Sequence, residues 1–320
     1  RYAAAKLDIF VVIEKAEGRV NLNAPFQVQK HRGKLLRFLE LYGILRRLRR
    51  QGYENFYVHY SYYGALAALL AGGKVFYWNR GLPWLFRRGF WAERIFRFIL
   101  GRTILITGPE SLAKEYVKHY GVKRYKILSN WVDVERLKPR ENKASTKRWF
   151  ALDPNLKVVL FVHHLSKRKG ADLLPGIAEG LQNVQFLVLG DGPEYWSLEE
   201  NAQLKMLGRV ANKDIPVYFQ AADVFLLPSR EEGSPHVILE ALAAGTPFVA
   251  SDVGGIREVV PPGLEEFLCP VGDVSCFQEK IRKLLSEGVL YERLRNEGLA
   301  FANEFGRSRG VSEFLNLFDN

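Results

Sequence analysis

Two carboxylates in the stretch "EEGSPHVILEALAAG" (Glu231–Gly245) are spaced in a way that could do chemistry. Glu232 and Glu240 have seven residues between them, and a Gly-Ser-Pro turn follows the first. Ser234 can cap a helix and Pro235 suits its first turn. That puts Glu232 in the loop before a helix and Glu240 inside it, near its N-terminal end. A helix start offers free N–H groups and a positive dipole end, which suit phosphate or sugar hydroxyl oxygens. A carboxylate in the adjoining loop can accept hydrogen bonds from hydroxyls or stabilise a developing positive carbon. A capping acid plus a surface acid would give the same pattern, so this segment alone leaves both readings open. "FVHHLSKRKGAD" sets polar and basic residues directly after an apolar run. There Lys169 could hold a diphosphate and Gly170 could let the backbone approach it, or "SKRKG" is a solvated basic turn. "LGDGPE" (189–194) and "LGRV" (207–210) could border a nucleotide or be tight turns.

The elements that must position these residues follow from hydrophobic periodicity. Val158–Val162 is an all-apolar run, as in a parallel strand covered on both faces. A helix over Ala171–Gly180, a strand Gln185–Leu189, a short strand at "MLGRV", a helix Ile215–Ala221 and a strand Val224–Leu227 follow. A helix Pro235–Ala244, a strand Phe248–Ala250 and the turn "SDVGGIREVV" complete the second half. The first half alternates in the same way. Its strands are expected at Leu7–Ile13, Asn55–Tyr60, Val75–Trp78, Thr103–Thr107 and Lys126–Leu128. A basic amphipathic helix is expected over Lys34–Arg50, a small-residue helix over Gly64–Ala71, and another at "TGPESLAKEYVKHYG". "NWVDVERLKPRENKAS" (130–145) reads as a linker. Two consecutive βαβ arrays imply two doubly wound domains. Ligands of such folds bind beyond the C-terminal strand ends, so a cleft between the domains is the expected site.

Composition bounds the remainder. A chain of 320 residues exceeds the usual single-domain size. No apolar run reaches the length of a transmembrane helix, and the basic start leads into a strand-like run that is not a secretory signal. Cys269 and Cys276 form neither a disulfide framework nor a zinc site, and the expectation is two unpaired thiols in a reducing cytosol. Net charge is +11, but residues 1–150 hold 30 − 11 = +19 and residues 151–320 hold 16 − 24 = −8. The first half is therefore expected to meet an anionic partner. "KLLRFLELYGILRRLRR" and "WLFRRGFWAERIFRFILGR" combine bulky apolar residues with arginine. They suit an anionic membrane interface, or they pack in the core with arginine on the solvated side. No recognisable nucleic-acid module accompanies the charge.

Taken in order, "FVHHLSKRKG", "FLVLGDGPE", "MLGRV" and "AADVFLLPSREEGSPHVILEALAAGTPFVASDVGGIREVV" resemble the retaining glycosyltransferases of family 4 (glycosyl transferases group 1). In the first half "ENFYVHYSYYGALAALLAG", "VFYWNRG", "ILITGPESLAKEY" and "ILSNWVD" carry a weaker likeness. The resemblance implies a GT-B fold, an α/β protein of two doubly wound Rossmann-like domains facing across a cleft. It implies an acceptor-side domain over 1–138, joined by a tail helix at about 302–320, and a nucleotide-sugar-binding domain over 139–301. It implies Glu232 at the sugar hydroxyls near the reacting carbon, with Lys169 neutralising the leaving diphosphate. Backbone amides of Gly233, Ser234, Pro235 and His236 would surround the donor together with Gly170 and Gly190. Arg209 and Val210 would border the base, Glu240 would hold the ribose hydroxyls, and Asn79 and Arg80 would lie on the acceptor side. The donor would be a UDP- or GDP-sugar and the acceptor lipid-linked or a saccharide. No D-x-D triplet occurs, which agrees with transfer that requires no cofactor and no essential Mg²⁺. The expected location is cytoplasmic, peripheral at the inner face of the membrane.

Three departures from the family pattern sharpen these expectations. His163-His164 stands where Gly-Arg is usual, so His164 would replace a permanent cation at the diphosphate with one that titrates near neutral pH. Asn79 stands where a sugar-facing His is common, and it cannot shuttle protons. Leu7–Ile13 aligns with the family's second strand, so the N-terminal domain is expected to lack its first strand. These departures keep a non-catalytic homologue, a subunit of a glycosyltransferase complex, as an alternative. A nucleotide-sugar epimerase of the same fold is a third reading.

Overall fold

The structure is a computed structural model and describes residues 8–14, 22, 24–31, 33–139, 143–150, 152–153 and 155–319. It divides into two compact units, residues 1–129 with 310–320 and residues 130–309.

In the first unit, β1 (Val11–Ile13) and β2 (Phe26–Val28) form a parallel pair. Helix α1 (Lys34–Arg50) is followed by β3 (Asn55–His59), α2 (Tyr62–Leu70), β4 (Lys74–Trp78), α3 (Phe90–Arg102), β5 (Ile104–Thr107), α4 (Glu110–Tyr120) and β6 (Tyr125–Ile127). Strands β3 to β6 make a parallel four-stranded sheet in sequence order. Helix α2 starts at Ser61, whose Oγ accepts the Gly64 N–H at 3.0 Å. The strand expected over Leu7–Ile13 is shorter: Asp8–Phe10 are not in a strand, and Leu7 lies outside the described residues. Phe76, Ile106 and Leu128 of the sheet side pack with Leu317, Phe314 and Phe318 of the C-terminal segment. Lys126 Nζ also donates to the Leu317 carbonyl at 3.0 Å.

The second unit begins with α5 (Val134–Leu137) and α6 (Lys143–Trp149). The expected linker is therefore partly helical, although 140–142 lie outside the described residues. Residues 130–138, which the resemblance put with the first domain, cluster with this unit. Val132 donates to the Phe305 carbonyl at 2.9 Å and pairs with Gly306, which ties the segment down. Then come β7 (Lys157–Val162), α7 (Leu174–Glu179), β8 (Val184–Leu189), α8 (Tyr195–Glu199), β9 (Leu204–Gly208), α9 (Ile215–Ala221), β10 (Val224–Leu227), α10 (His236–Ala243), β11 (Phe248–Ser251), β12 (Leu268–Cys269), α11 (Val274–Ser286) and α12 (Gly288–Glu304), and the last helix, α13 (Arg307–Asn316), belongs to the first unit from Gly310 onward. The helix expected over Ala171–Gly180 is a 3₁₀ turn at Ala171–Leu173 followed by α7. Pro175 supplies no N–H and sits where a helix starts afresh.

The six-stranded parallel sheet runs β12-β11-β10-β7-β8-β9. The chain leaves β7 toward β8 and β9 on one side, then returns to β10 and proceeds to β11 and β12 on the other. The strand order thus reverses between β7 and β10, and crevices of doubly wound sheets open at such a point, beyond the C-terminal strand ends. All four residues of β10 and four of the six in β7 are buried, which explains their unbroken apolar sequences. At the opposite end of the sheet, buried Asp223 accepts from Lys147 Nζ at 2.8 Å, Lys143 Nζ at 3.1 Å and the Val158 N–H at 2.8 Å. This locks α6 under the strands.

The expectation of two unpaired thiols is overturned. Cys269 and Cys276 are disulfide-bonded, with Cα atoms 5.8 Å apart. Cys269 ends β12 and Cys276 lies in the first turn of α11, where Asp273 Oδ1 accepts the Cys276 N–H at 3.0 Å. The tight reversal over 270–273 brings strand end and helix start together, a proximity that spacing in sequence does not reveal.

Candidate functional site

The loops that follow β7 and β10 meet at the reversal of strand order. After β7 the chain makes a 3₁₀ turn, Lys167–Lys169, and passes into Gly170 with φ of +70°. A Cβ at Gly170 would stand 1.9 Å from the Pro228 carbonyl oxygen, so only glycine permits this contact between the two loops. Arg230 braces it further. Its guanidinium makes two bonds to the Asp172 carboxylate, at 2.7 and 3.0 Å, and its N–H donates to the Arg168 carbonyl at 2.9 Å.

This bracing delivers Lys169 to Glu232. Lys169 Nζ lies 2.9 Å from Glu232 Oε1 and donates to the Glu231 carbonyl at 3.0 Å. Both residues are buried, Lys169 at 8% and Glu232 at 6% exposure. Fully buried Ser229 donates its hydroxyl to the same Oε1 at 2.8 Å. His163, at the end of β7, places Nε2 3.4 Å from it. Burial acts to raise the Glu232 carboxyl, but the His163 hydrogen bond and the Lys169 ammonium outweigh it and hold the group down at about 2. Glu232 is thus an ionised carboxylate in a largely dry site. The loop after β11 closes against it: Gly254, at φ +59°, sits where a Cβ would be 1.8 Å from the Glu232 carbonyl oxygen.

Helix α10 begins just beyond. Pro235 is its N-cap residue, and no side chain caps it, so Ser234 does not fill the capping role read from its type. The Ser234 carbonyl instead accepts from the Asn130 amide at 3.1 Å. The first N–H groups of α10 follow Glu232 within a few residues. Glu240, inside the helix, is half-buried and faces Arg136, with 3.7 Å between Oε1 and the guanidinium. Burial raises its carboxyl, and Arg136 offsets this only in part. The two glutamates therefore differ in character: one clamped and anionic, the other with a raised affinity for a proton.

The remaining expected residues fall in several places. Gly190 ends the β8 turn, where its N–H donates to the Gly208 carbonyl at 2.8 Å. Arg209 is exposed and Val210 packs against the core just after β9. Gly233 is half-buried and His236 exposed at the start of α10. His164 does not join the Lys169 cluster. It is exposed, with Nδ1 3.6 Å from Asp191. In the first unit, Asn79 and Arg80 are buried at the end of β4. The Asn79 amide donates to the Tyr77 hydroxyl at 3.2 Å and its oxygen accepts the Gly81 N–H at 2.9 Å. Arg80 donates to the Leu128 and Ser129 carbonyls and lies over the Trp78 ring. Both side chains shape the strand-end loop. The contacts of His163 with Glu232 and of Arg230 with Asp172 were not identified from sequence, because each joins residues far apart along the chain, and Ser229, three residues before Glu232, carried no signal of its own. Among the described residues, no group of three or more His, Cys, Asp or Glu side chains could hold a metal ion.

Residues 142–300 match the family described as glycosyl transferases group 1. The phosphatidyl-myo-inositol mannosyltransferase of Mycobacterium leprae is 32% identical over 174 residues, covering 51% of this chain and 46% of that protein. The chain spans about half the length of the curated relatives it matches. Among solved structures, sucrose-phosphate synthase from Thermosynechococcus elongatus aligns with a TM-score of 0.82 at 18% identity, covering 99% of this chain and 90% of that one. Anabaena HepE in complex with UDP-glucose aligns with a TM-score of 0.77 at 21% identity, covering 92% and 86%. These likenesses establish the fold, GT-B. The region 142–300, about half of the chain, thus belongs to the glycosyl transferases group 1 family.

Proposed function

We propose that the protein is a retaining glycosyltransferase that moves a sugar from a UDP- or GDP-linked donor to a hydroxyl of a lipid-linked or saccharide acceptor. The observation that carries this reading is the buried Lys169–Glu232 pair at the reversal of strand order, with Glu232 ionised beside the start of α10. Two of the relatives and neighbours support the donor and acceptor classes by name, one as a phosphatidyl-myo-inositol mannosyltransferase and one solved with UDP-glucose.

In this reading the bond from the sugar's anomeric carbon to the diphosphate oxygen breaks, and its electron pair leaves with the diphosphate. Lys169 meets the charge that appears there, so no separate proton donor is needed. The Glu232 carboxylate accepts from sugar hydroxyls and favours the electron-poor carbon. The acceptor oxygen joins that carbon from the face the diphosphate vacates, and its proton passes to a leaving phosphate oxygen. Configuration is thereby retained. Glu240 and Arg136 lie toward the ribose side, the end nearest the "LGRV" turn through the Arg136 bond to the Asn212 carbonyl at 3.2 Å.

The first unit would present the acceptor at an anionic membrane surface. Phe90 and Trp91, at the start of α3, are 67% and 74% exposed, whereas Phe96, Ile99 and Leu100 of the same helix are buried. Arg87, Arg94 and Arg97 stand near these apolar side chains in sequence, a pattern suited to an interface bearing anionic lipid. A peripheral location at the cytoplasmic face follows from the same reading. No helix among the described residues is long and apolar enough to cross a membrane.

Calorimetric titration with UDP, GDP and ADP, followed by hydrolysis of the matching sugar nucleotides, tests the donor site. Failure of all three to bind better than about 1 mM (about −4 kcal/mol) sinks it. The second reading, a non-catalytic subunit of a glycosyltransferase complex, is favoured by one observation: His164 faces Asp191 and not the Lys169 cluster. Nucleotide binding without release of sugar from any donor would select that alternative.

A further inference from the structure

The donors around Glu232 all converge on one oxygen. Ser229 Oγ at 2.8 Å, Lys169 Nζ at 2.9 Å and His163 Nε2 at 3.4 Å address Oε1. Among the described residues Oε2 has no such partner, and it is not one of the fully buried orphan atoms, so it is not sealed from solvent. The third donor is held by its own backbone. The His164 N–H donates to His163 Nδ1 at 2.8 Å. Nδ1 is therefore the lone-pair nitrogen, and the ring proton sits on Nε2, pointed at the carboxylate.

We propose that His163 is a positioning residue for the donor sugar: its backbone-fixed Nε2–H holds Oε1 of Glu232 so that Oε2 faces the sugar as hydrogen-bond acceptor. The proposal rests on the donor-site reading given above. A bound diphosphate must share the Lys169 ammonium with Glu232, which loosens the strongest of the three contacts when orientation matters. Ser229 arises from the Glu232 loop itself, so it moves with the carboxylate. His163 comes from the end of β7, a neighbouring central strand, and is anchored there by its N–H on the Leu189 carbonyl at 3.1 Å. A donor at the end of a separate strand fixes the carboxylate without competing for the diphosphate.

The test compares His163→Ala, His163→Gln and His163→Asn. The Gln amide nitrogen reaches the place of imidazole Nε2, whereas the shorter Asn cannot. Two readouts are needed for each variant: affinity for the bare nucleoside diphosphate that the unaltered protein binds, and kcat and KM for hydrolysis of the matching sugar nucleotide. His163→Ala is expected to keep the nucleoside diphosphate affinity within about twofold. It is expected to lower kcat/KM for the sugar nucleotide about 10- to 100-fold, the loss of one hydrogen bond to a charged group. His163→Gln should recover most of that loss and His163→Asn little. Equal losses for bare and sugar-bearing nucleotides would mean a structural role and overturn the proposal, as would an unaffected His163→Ala or equal behaviour of Gln and Asn. Should His163→Ala not fold, the Gln and Asn pair decides alone. If the unaltered protein binds no nucleoside diphosphate, the donor-site reading itself falls and this inference falls with it. A protein that binds and hydrolyses normally but ignores His163 refutes only the inference.

Discussion

Lys169→Met should expose how much of the second unit's stability depends on a single buried charge pair. At 2.9 Å and an effective dielectric constant of about 20, the Coulomb attraction between Lys169 and Glu232 is about 6 kcal/mol before desolvation is subtracted. The fall of the Glu232 carboxyl from 4.5 to about 2 corresponds to about 3 kcal/mol favouring the anion, shared among all its donors. Removing the ammonium leaves a carboxylate at 6% exposure facing only the Ser229 and His163 donors. Breaking a buried pair in this way typically costs about 3–5 kcal/mol, and that is the loss expected at pH 7. Urea unfolding followed by circular dichroism measures it. The companion variant Glu232→Gln/Lys169→Met leaves no unpaired charge, so it should be more stable than Lys169→Met alone, with a coupling energy of about 2 kcal/mol or more. Acid separates the two as well. A carboxyl whose folded pKa is lowered contributes stability above its unfolded value, and this is lost as pH falls from about 4.5 toward about 2. In Lys169→Met the share supplied by the ammonium is gone, so the unfolding free energies of this variant and of the unaltered protein should approach one another in that window. Additive single and double variants, within about 0.5 kcal/mol, would refute the view that the pair is energetically coupled.

Glu240→Gln should act in opposite directions on stability and binding. Burial raises this carboxyl in the folded protein, so ionising it opposes folding as pH rises through the folded value, and the amide should raise the unligated melting temperature. The same change should weaken nucleotide affinity by about 1–3 kcal/mol if ribose hydroxyls bond to the carboxylate, as read by calorimetry. Asp223→Ala should lower stability by about 3–5 kcal/mol, because buried Lys147 loses its counter-charge, yet leave the nucleotide affinity of the folded protein unchanged. Flotation with vesicles containing phosphatidylglycerol should show binding at low salt that about 0.5 M salt abolishes, and Phe90→Ser/Trp91→Ser should lose it. Salt-insensitive or absent binding would make this face ordinary surface. Thiol titration of the unfolded chain should find no free thiol until reductant is added. Reduction should then cost about 2–3 kcal/mol, as expected for so short a closed loop.

Much of the second unit could be read directly from sequence because its central strands are buried on both faces. The run Val224–Leu227 is β10 residue for residue, and Val158–Val162 misses only the first residue of β7. Lys169 and Glu232 were legible as strand-end residues for the same reason. Their direct contact was not, since it depends on the neighbouring positions of β7 and β10, which only the sheet order supplies. His163 was noticed only as a departure from a family pattern. Its role depends on which of its ring nitrogens meets the backbone, a detail no residue type encodes. Ser234 looked like a helix cap by type, yet the chain enters α10 through Pro235 and engages Ser234 by its carbonyl. Asn79 and Arg80 were read as acceptor-side residues from the family resemblance, and the bonds they make to Tyr77, Gly81, Leu128 and Ser129 depend on neighbouring strands that the residue types do not encode. The disulfide escaped because two cysteines seven positions apart carry no information about a strand end meeting a helix start.

Under the proposed function, the contrast between Glu232 and Glu240 accounts for two acids in different settings at one helix start. A group beside the reacting carbon must remain anionic while it is dry, because protonation would remove both its acceptor capacity and its electrostatic support for a positive centre. That demands donors from outside its own loop, and Lys169 and His163 provide them from the β7 side. A group that grips ribose hydroxyls does not face this demand, since either protonation state can take part in hydrogen bonds with a diol. Glu240 accordingly has one cation at 3.7 Å and a raised carboxyl. Lys169 shares with His163 the work of keeping Glu232 charged, and under the proposed function it is also the cation that would meet the diphosphate. Under the proposed function, donor binding and site stability would therefore be coupled through one ammonium group, and a nucleoside diphosphate would compete with a carboxylate that the fold itself has placed.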